Sequence, residues 1–139
     1  MRTVRDDDTV YVVLKESADS TLVRDPATGE ERHLPTDSLE PAGGTAPLDA
    51  LATAIPEDAR AVVRACHADW HLGVLVALAD DGPLPARSLV ARFETCESDL
   101  VGALTEFRAA ELVEETDVHG ERGYRLTDAG ESGIGALRD

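Results

Sequence analysis

Residues 72–128 read LGVLVALADDGPLPARSLVARFETCESDLVGALTEFRAAELVEETDVHGERGYRLTD. Leu72, Leu75, Val76, Leu78 and Ala79 recur at helical spacing and predict a helix with a wide apolar face. Asp81-Gly82-Pro83 ends it, because Gly accepts a left-handed cap and Pro cannot continue a helix. Leu84 is expected as a strand of one or two residues. Pro85 suits the first turn of a second helix, with Leu89, Val90 and Phe93 inward. Thr95-Cys96-Glu97 is read as a turn, and Ser98 as the cap of a third helix that buries Leu100, Val101, Leu104 and Phe107. A strand from Leu112 to Val118, a hairpin turn over His119–Gly123 and a returning strand through Tyr124, Arg125 and Leu126 complete the stretch.

This order resembles the winged-helix regulators of prokaryotes. The resemblance is carried by Gly82-Pro83-Leu84, by Phe107-Arg108-Ala109-Ala110-Glu111-Leu112-Val113, and by Leu126-Thr127-Asp128-Ala129-Gly130. It covers about the last two-thirds of the chain. One departure stands out: Glu111 occupies the position where the family usually has Gly, so the turn out of the third helix is made without the residue suited to positive φ.

The N-terminal part reads differently. Residues 1–8 are polar and expected to fray. Val10–Leu14, Thr21–Arg24 and Glu30–Leu34 are predicted strands, separated by turns at Ala18-Asp19 and at Asp25–Gly29. Pro35–Leu39 adds a helical turn. Residues 40–47 have the composition of a linker, and Leu48–Ile55 of a short helix. Val62, Val63 and Cys66 are expected on the inner face of the helix after Pro56. The expected fold is thus α+β: a small antiparallel β-meander over residues 1–42, a linker and short helix over 43–56, and a winged helix-turn-helix domain over 57–139. The meander has few apolar positions and needs a further surface to cover it.

Charge bounds the function. The chain of 139 residues has 28 acidic and 13 basic residues, a net charge of -15, and Lys15 is its only lysine. Acidic residues spread over the whole length, with almost no lysine, resemble a haloarchaeal protein adapted to molar salt. Arg2 and Arg5 precede Asp6-Asp7-Asp8 and no apolar signal core, and no apolar run is long enough for a membrane, so a cytoplasmic protein is expected.

Enzyme motifs are missing: there is no GxSxG, no P-loop and no dinucleotide-binding fingerprint. Carboxylate pairs arise here from composition alone. His67 and His71 would share a face of one continuous helix, but no further ligands lie near them in sequence, and packing around Trp70 is the favoured reading. Cys66 and Cys96 form no metal spacing and are read as reduced thiols. Gly130, Gly133 and Gly135 are read as marks of a weak, fraying last helix. No catalytic, cofactor or metal site is expected.

The resemblance implies a DNA-binding transcriptional regulator on double-stranded DNA. A homodimer is expected, through the edge strands and the short helix from Leu48 to Ile55, because the meander needs a covering surface and DNA half-sites pair with two-fold symmetry. The helix from Ser98 to Ala110 would enter the major groove and the wing around Gly120 would touch backbone or minor groove. Ser98, Thr105 and Arg108 would reach bases, while Arg92, Arg122 and Arg125 would sit on phosphate. Arg87 and His119 would add to the same basic rim. The alternative is a protein-protein adaptor built on a winged helix, supported by the acidity of the third helix.

With the negative charge distributed along the whole chain, self-repulsion destabilises the fold in dilute buffer. The melting temperature read by far-UV circular dichroism is expected to rise from low to molar KCl; a flat response rejects the halophilic reading.

Overall fold

The first turn of the chain is made by aspartates. Asp7 adopts φ 53 between β1 (Thr3–Asp6) and β2 (Thr9–Glu16), a conformation that Asp tolerates better than most residues. Residues 3–6 are therefore a strand, not the frayed start their polarity suggested. The computed structural model describes residues 1–139. It falls into two units, Met1–Ile55 and Pro56–Asp139.

In the first unit, β3 (Ser20–Arg24) and β4 (Glu31–Pro35) follow β2. A 3-10 turn (Thr36–Ser38) then leads to β5 (Glu40–Pro41), and α1 (Pro47–Ala52) closes the unit. The sheet is five-stranded, with order β4-β3-β2-β1-β5, where three strands were expected. Its first strand is internal, paired with β2 through Val4↔Tyr11 and with β5 through Val4↔Pro41. Val4, Tyr11 and Val23 form the core, with Val13, Leu34 and Leu39 against it. The linker-like composition of residues 40–47 is also misleading. Ala42 is buried, and the buried Thr3 donates its hydroxyl to the Thr45 carbonyl at 2.7 Å. The helix α1 packs on β2 in this unit.

A directed chain of hydroxyls fixes the 3-10 turn. Thr36 donates to the Ser17 carbonyl at 2.8 Å, so its oxygen accepts from the fully buried Thr21, also at 2.8 Å. Each Oγ–H thus has one acceptor, and no buried polar side chain is left without a partner.

The second unit runs α2 (Glu57–Ala65), α3 (Asp69–Asp81), β6 (Leu84–Pro85), α4 (Ala86–Phe93), α5 (Glu97–Ala109), β7 (Val113–Val118), β8 (Glu121–Leu126) and α6 (Asp128–Arg138). Its sheet has order β6-β8-β7, with Leu84 opposite Tyr124 as expected of the short strand. Phe107, Leu75, Leu89, Leu100, Leu104 and Leu112 are fully buried at its centre. This is an α+β winged helix.

Several helix faces differ from expectation. Val63, Phe93 and Val101 were expected inward and are half exposed, at 60%, 49% and 51%. On α2 the buried residues are Ala59, Val62 and Ala65, and on α5 Ala103 takes the place given to Val101. The buried stripes are narrower than the apolar ones. Gly82 has φ -75 and is no left-handed cap; a Cβ there would collide with the Leu78 carbonyl. Ser98 is not the cap of α5: Cys96 holds that position, without a side-chain cap bond. The wing turn is two residues, His119 (φ 53) and Gly120 (φ 84), not five. Two successive positive φ values match the twist of the flanking strands.

The glycines of α6 are packing contacts, not signs of fraying. Gly130 lies against the Leu112 carbonyl, and Gly133 against the Asp58 carbonyl and Val62, too close in each case to admit a Cβ. Thr127 starts this helix. Its hydroxyl accepts from the Gly130 N–H at 3.1 Å and donates to the Glu111 carbonyl at 2.6 Å. No helix is long and apolar enough to cross a membrane.

At the exit of α5 Glu111 itself takes φ 60. Left-handed backbone costs a non-glycine residue about 1–2 kcal/mol, and glycine returns roughly 0.4–1 kcal/mol of that to unfolded-chain entropy. Glu111→Gly is therefore expected to stabilise the second unit by up to about 1 kcal/mol, read in urea by Trp70 fluorescence. A loss of stability would mean that the Glu111 side chain contributes more than its backbone costs.

Candidate nucleic-acid interface

The exposed face of α5 starts with Glu97, Ser98 and Asp99 and ends with Thr105, Glu106 and Arg108. Across α5 and the wing, residues 97–126 hold eight carboxylates and three arginines, so the surface is acidic before any contact is considered. Each arginine has a carboxylate partner. Arg108 meets Glu115 at 2.9 Å, and Arg122 approaches the same oxygen at 4.0 Å. Glu115 thus gathers a helix arginine and a wing arginine around one carboxylate.

The other proposed contacts lie elsewhere. Arg125 is three residues from Arg122 along β8, so the pleat places it on the opposite face of the hairpin. There it pairs with Glu114, its cross-strand neighbour, at 2.7 Å. Arg92, at the end of α4, meets Asp81 at 3.2 Å and stacks over the Phe93 ring at 5.3 Å. Thr105 donates its hydroxyl to the Val101 carbonyl of its own helix at 2.8 Å. Ser98 lies in the first turn of α5, its oxygen 3.1 Å from the Cys96 sulfur.

Two carboxylates outside the expected set organise this surface, Glu115 and Glu121. Arg87 reaches Glu121 with two parallel hydrogen bonds, from Nε and Nη2, and so ties α4 to the wing. That hydrogen bond, then the Arg87 charge, holds the Glu121 carboxyl below its ordinary range. The cross-strand partners were readable in principle, since a two-residue wing turn sets Glu114 opposite Arg125 and Asp117 opposite Arg122.

The histidines do not share a helix face. The chain leaves helix after Ala65 and resumes at Asp69. The His67 backbone N–H donates to His71 Nδ1 at 2.9 Å, while His67 Nε2 lies 3.3 Å from Glu106. His71 also sits edge-on to Trp70, with ring centres 4.2 Å apart. The cysteines are free and differ in character. Burial, then the Glu106 charge, pushes the Cys66 thiol up. The Ser98 hydroxyl, then the N–H groups of the first turn of α5, bring the exposed Cys96 thiol down.

A family model described as a family of unknown function, DUF7346, matches residues 1–138. The chain belongs to this family. No curated protein matches it. Among solved structures, HlyU from Vibrio cholerae N16961 is 24% identical with a TM-score of 0.50; the match covers 58% of this chain and 88% of that one. A MarR-family transcription regulator is also 24% identical, with a TM-score of 0.48, over 63% of this chain and 60% of its own. The likeness of this DUF7346 member to HlyU is one of fold.

The thiolate is the reactive form of cysteine, so Cys96 is expected to alkylate faster than Cys66 with iodoacetamide. Its rate profile should begin at lower pH. Ser98→Ala removes the leading cause of the lowered pKa and should move the Cys96 profile to higher pH, as followed by peptide mass spectrometry. An unmoved profile would remove Ser98 from the account.

Proposed function

We propose that this protein is a cytoplasmic DNA-binding transcriptional regulator, with α5 in the major groove and the β7–β8 hairpin as the wing. The observation that supports it best is the convergence of Arg108 and Arg122 on Glu115 at the exposed side of helix and wing. Ser98 and Thr105 lie on the same exposed face of α5 and are proposed, with Arg108, to reach base edges. Arg122 is proposed for phosphate, with Arg92 and Arg125 as outer contacts on other faces. These ion pairs are solvent-exposed, and such pairs contribute about 0–1 kcal/mol each. Phosphate offers an arginine a charge-assisted, bidentate replacement for a carboxylate. In molar salt the repulsion between DNA and the surrounding acids is screened within a few ångströms.

A homodimer is part of this proposal, because two-fold protein symmetry fits paired DNA half-sites. Two apolar surfaces are available to a second chain. Leu48 and Ile55 are exposed at the end of the first unit, whose sheet has β4 and β5 as its edges. Val63, Leu72 and Leu137 surround a groove of about 480 Å³ on α2, α3 and α6.

The second reading, a protein-protein adaptor, is favoured by one observation: every arginine of α5 and the wing already has a carboxylate within 4.0 Å. Two substitutions of opposite sign separate the readings. Glu115→Gln releases both arginines and removes a negative charge, so it should strengthen duplex binding on the order of threefold. Arg108→Ala should weaken it by a similar factor and relax base preference, whereas Arg122→Ala weakens all sequences alike. Fluorescence anisotropy on recovered genomic fragments at fixed KCl measures both. If neither wild type nor Glu115→Gln retains any fragment, the adaptor reading stands.

A further inference from the structure

The chain has five aromatic residues beyond its histidines. Tyr11, Phe107 and Tyr124 are buried, but Trp70 and Phe93 are 42% and 49% exposed. These two exposed rings line the same cleft, on α3, α4 and the α4–α5 turn, with a volume of about 360 Å³. Val74, Leu89 and Leu100 supply its apolar floor, and Gly73 leaves its wall open. Cavities of about 300–1,000 Å³ with apolar walls and a few polar groups are the usual form of small-molecule sites.

The charged group at this cleft is Glu94, beside the hydroxyl-bearing Thr95. It ends α4 in the left-handed conformation, φ 49, at a position suited to Gly or Asn. Unlike Glu114, Glu115 and Glu121, it has neither an ion pair nor a side-chain hydrogen bond. The nearby cation, Arg92, is already engaged by Asp81 and by the Phe93 ring. An unpaired carboxylate that lines the same cleft as two exposed aromatic rings complements a cation with an apolar body, because ring faces attract positive charge, and Arg92 covers only one face of Phe93. An anion would meet a carboxylate in a chain of net charge -15.

We propose that this cleft binds a small organic cation, a quaternary or protonated amine bearing an aromatic group, through Trp70, Phe93 and Glu94. The site does not depend on the DNA-binding reading.

Trp70 is the only tryptophan, so its emission reports the cleft directly. Benzyltrimethylammonium is titrated into the full-length protein at constant KCl, with benzenesulfonate as an anion of similar size. The cation is expected to give a saturable change and the anion none. Glu94→Gln and Phe93→Leu should each weaken the cation about five-fold. Glu30→Gln removes the same charge from the exposed β3–β4 turn and should leave the titration unchanged. Glu94→Gly relieves the left-handed backbone, keeps the fold if the Gln variant does not, and should also lose affinity. Equal binding of cation and anion, or a Glu94→Gln or Glu94→Gly titration matching wild type, overturns the proposal. So does an unsaturable response to the cation. A Trp70 emission that shifts to the blue with protein concentration alone would place a second copy in the cleft and overturn it as well.

Discussion

The winged-helix unit depends on the place where α6 crosses the exit of α5. Gly130 sits on the Leu112 carbonyl, Thr127 accepts from the Gly130 N–H and donates to the Glu111 carbonyl, and the Thr127 N–H donates to the Leu112 carbonyl at 3.0 Å. One residue thus caps the start of α6 and ties it to the turn that follows α5. This crossing sets where α5 stops, and so where β7 starts and which wing residues face the helix. The Leu126-Thr127-x-x-Gly130 pattern follows from the geometry: a hydroxyl at the first position of the cap and no side chain where two backbones meet. Gly133 repeats the close approach one turn later, against α2.

The second constraint is charge. A surface with 28 carboxylates has few ways to present positive charge, and this one couples all its wing and helix arginines to neighbouring acids. The pairs are exposed and weak, so they hold side chains in position more than they hold the fold together. They also mean that a polyanion would displace carboxylates of the protein as well as ions of the solvent.

Local punctuation made the second unit legible. Gly82-Pro83 and the apolar spacing of α3 and α5 act within a few residues of where they are read, whereas the Thr127 cap went unread and Gly130 was taken for a sign of fraying. The first unit was legible only in part. Asp6-Asp7-Asp8 reads as a solvated run, yet Asp7 turns the chain and makes β1 an internal strand whose partner β5 lies in Pro- and Gly-rich sequence. Helix faces were misjudged where an apolar stripe is wider than the surface available to bury it, as at Phe93 and Val101. At the interface the arginines were readable and their partners were not. A wing turn taken as five residues hides the register that sets Glu114 against Arg125. Arg87 and Glu121 are far apart in sequence and meet only in the fold.

Trp70 lies in the second unit, while the first has Tyr11 and neither tryptophan nor phenylalanine. Indole emission therefore follows the melting of the second unit alone, whereas the amide signal follows both. A separation between the two transitions shows that the units do not melt as one. Divergent curves would describe two blocks with their own stabilities, and coincidence is what a single unfolding block of 139 residues requires.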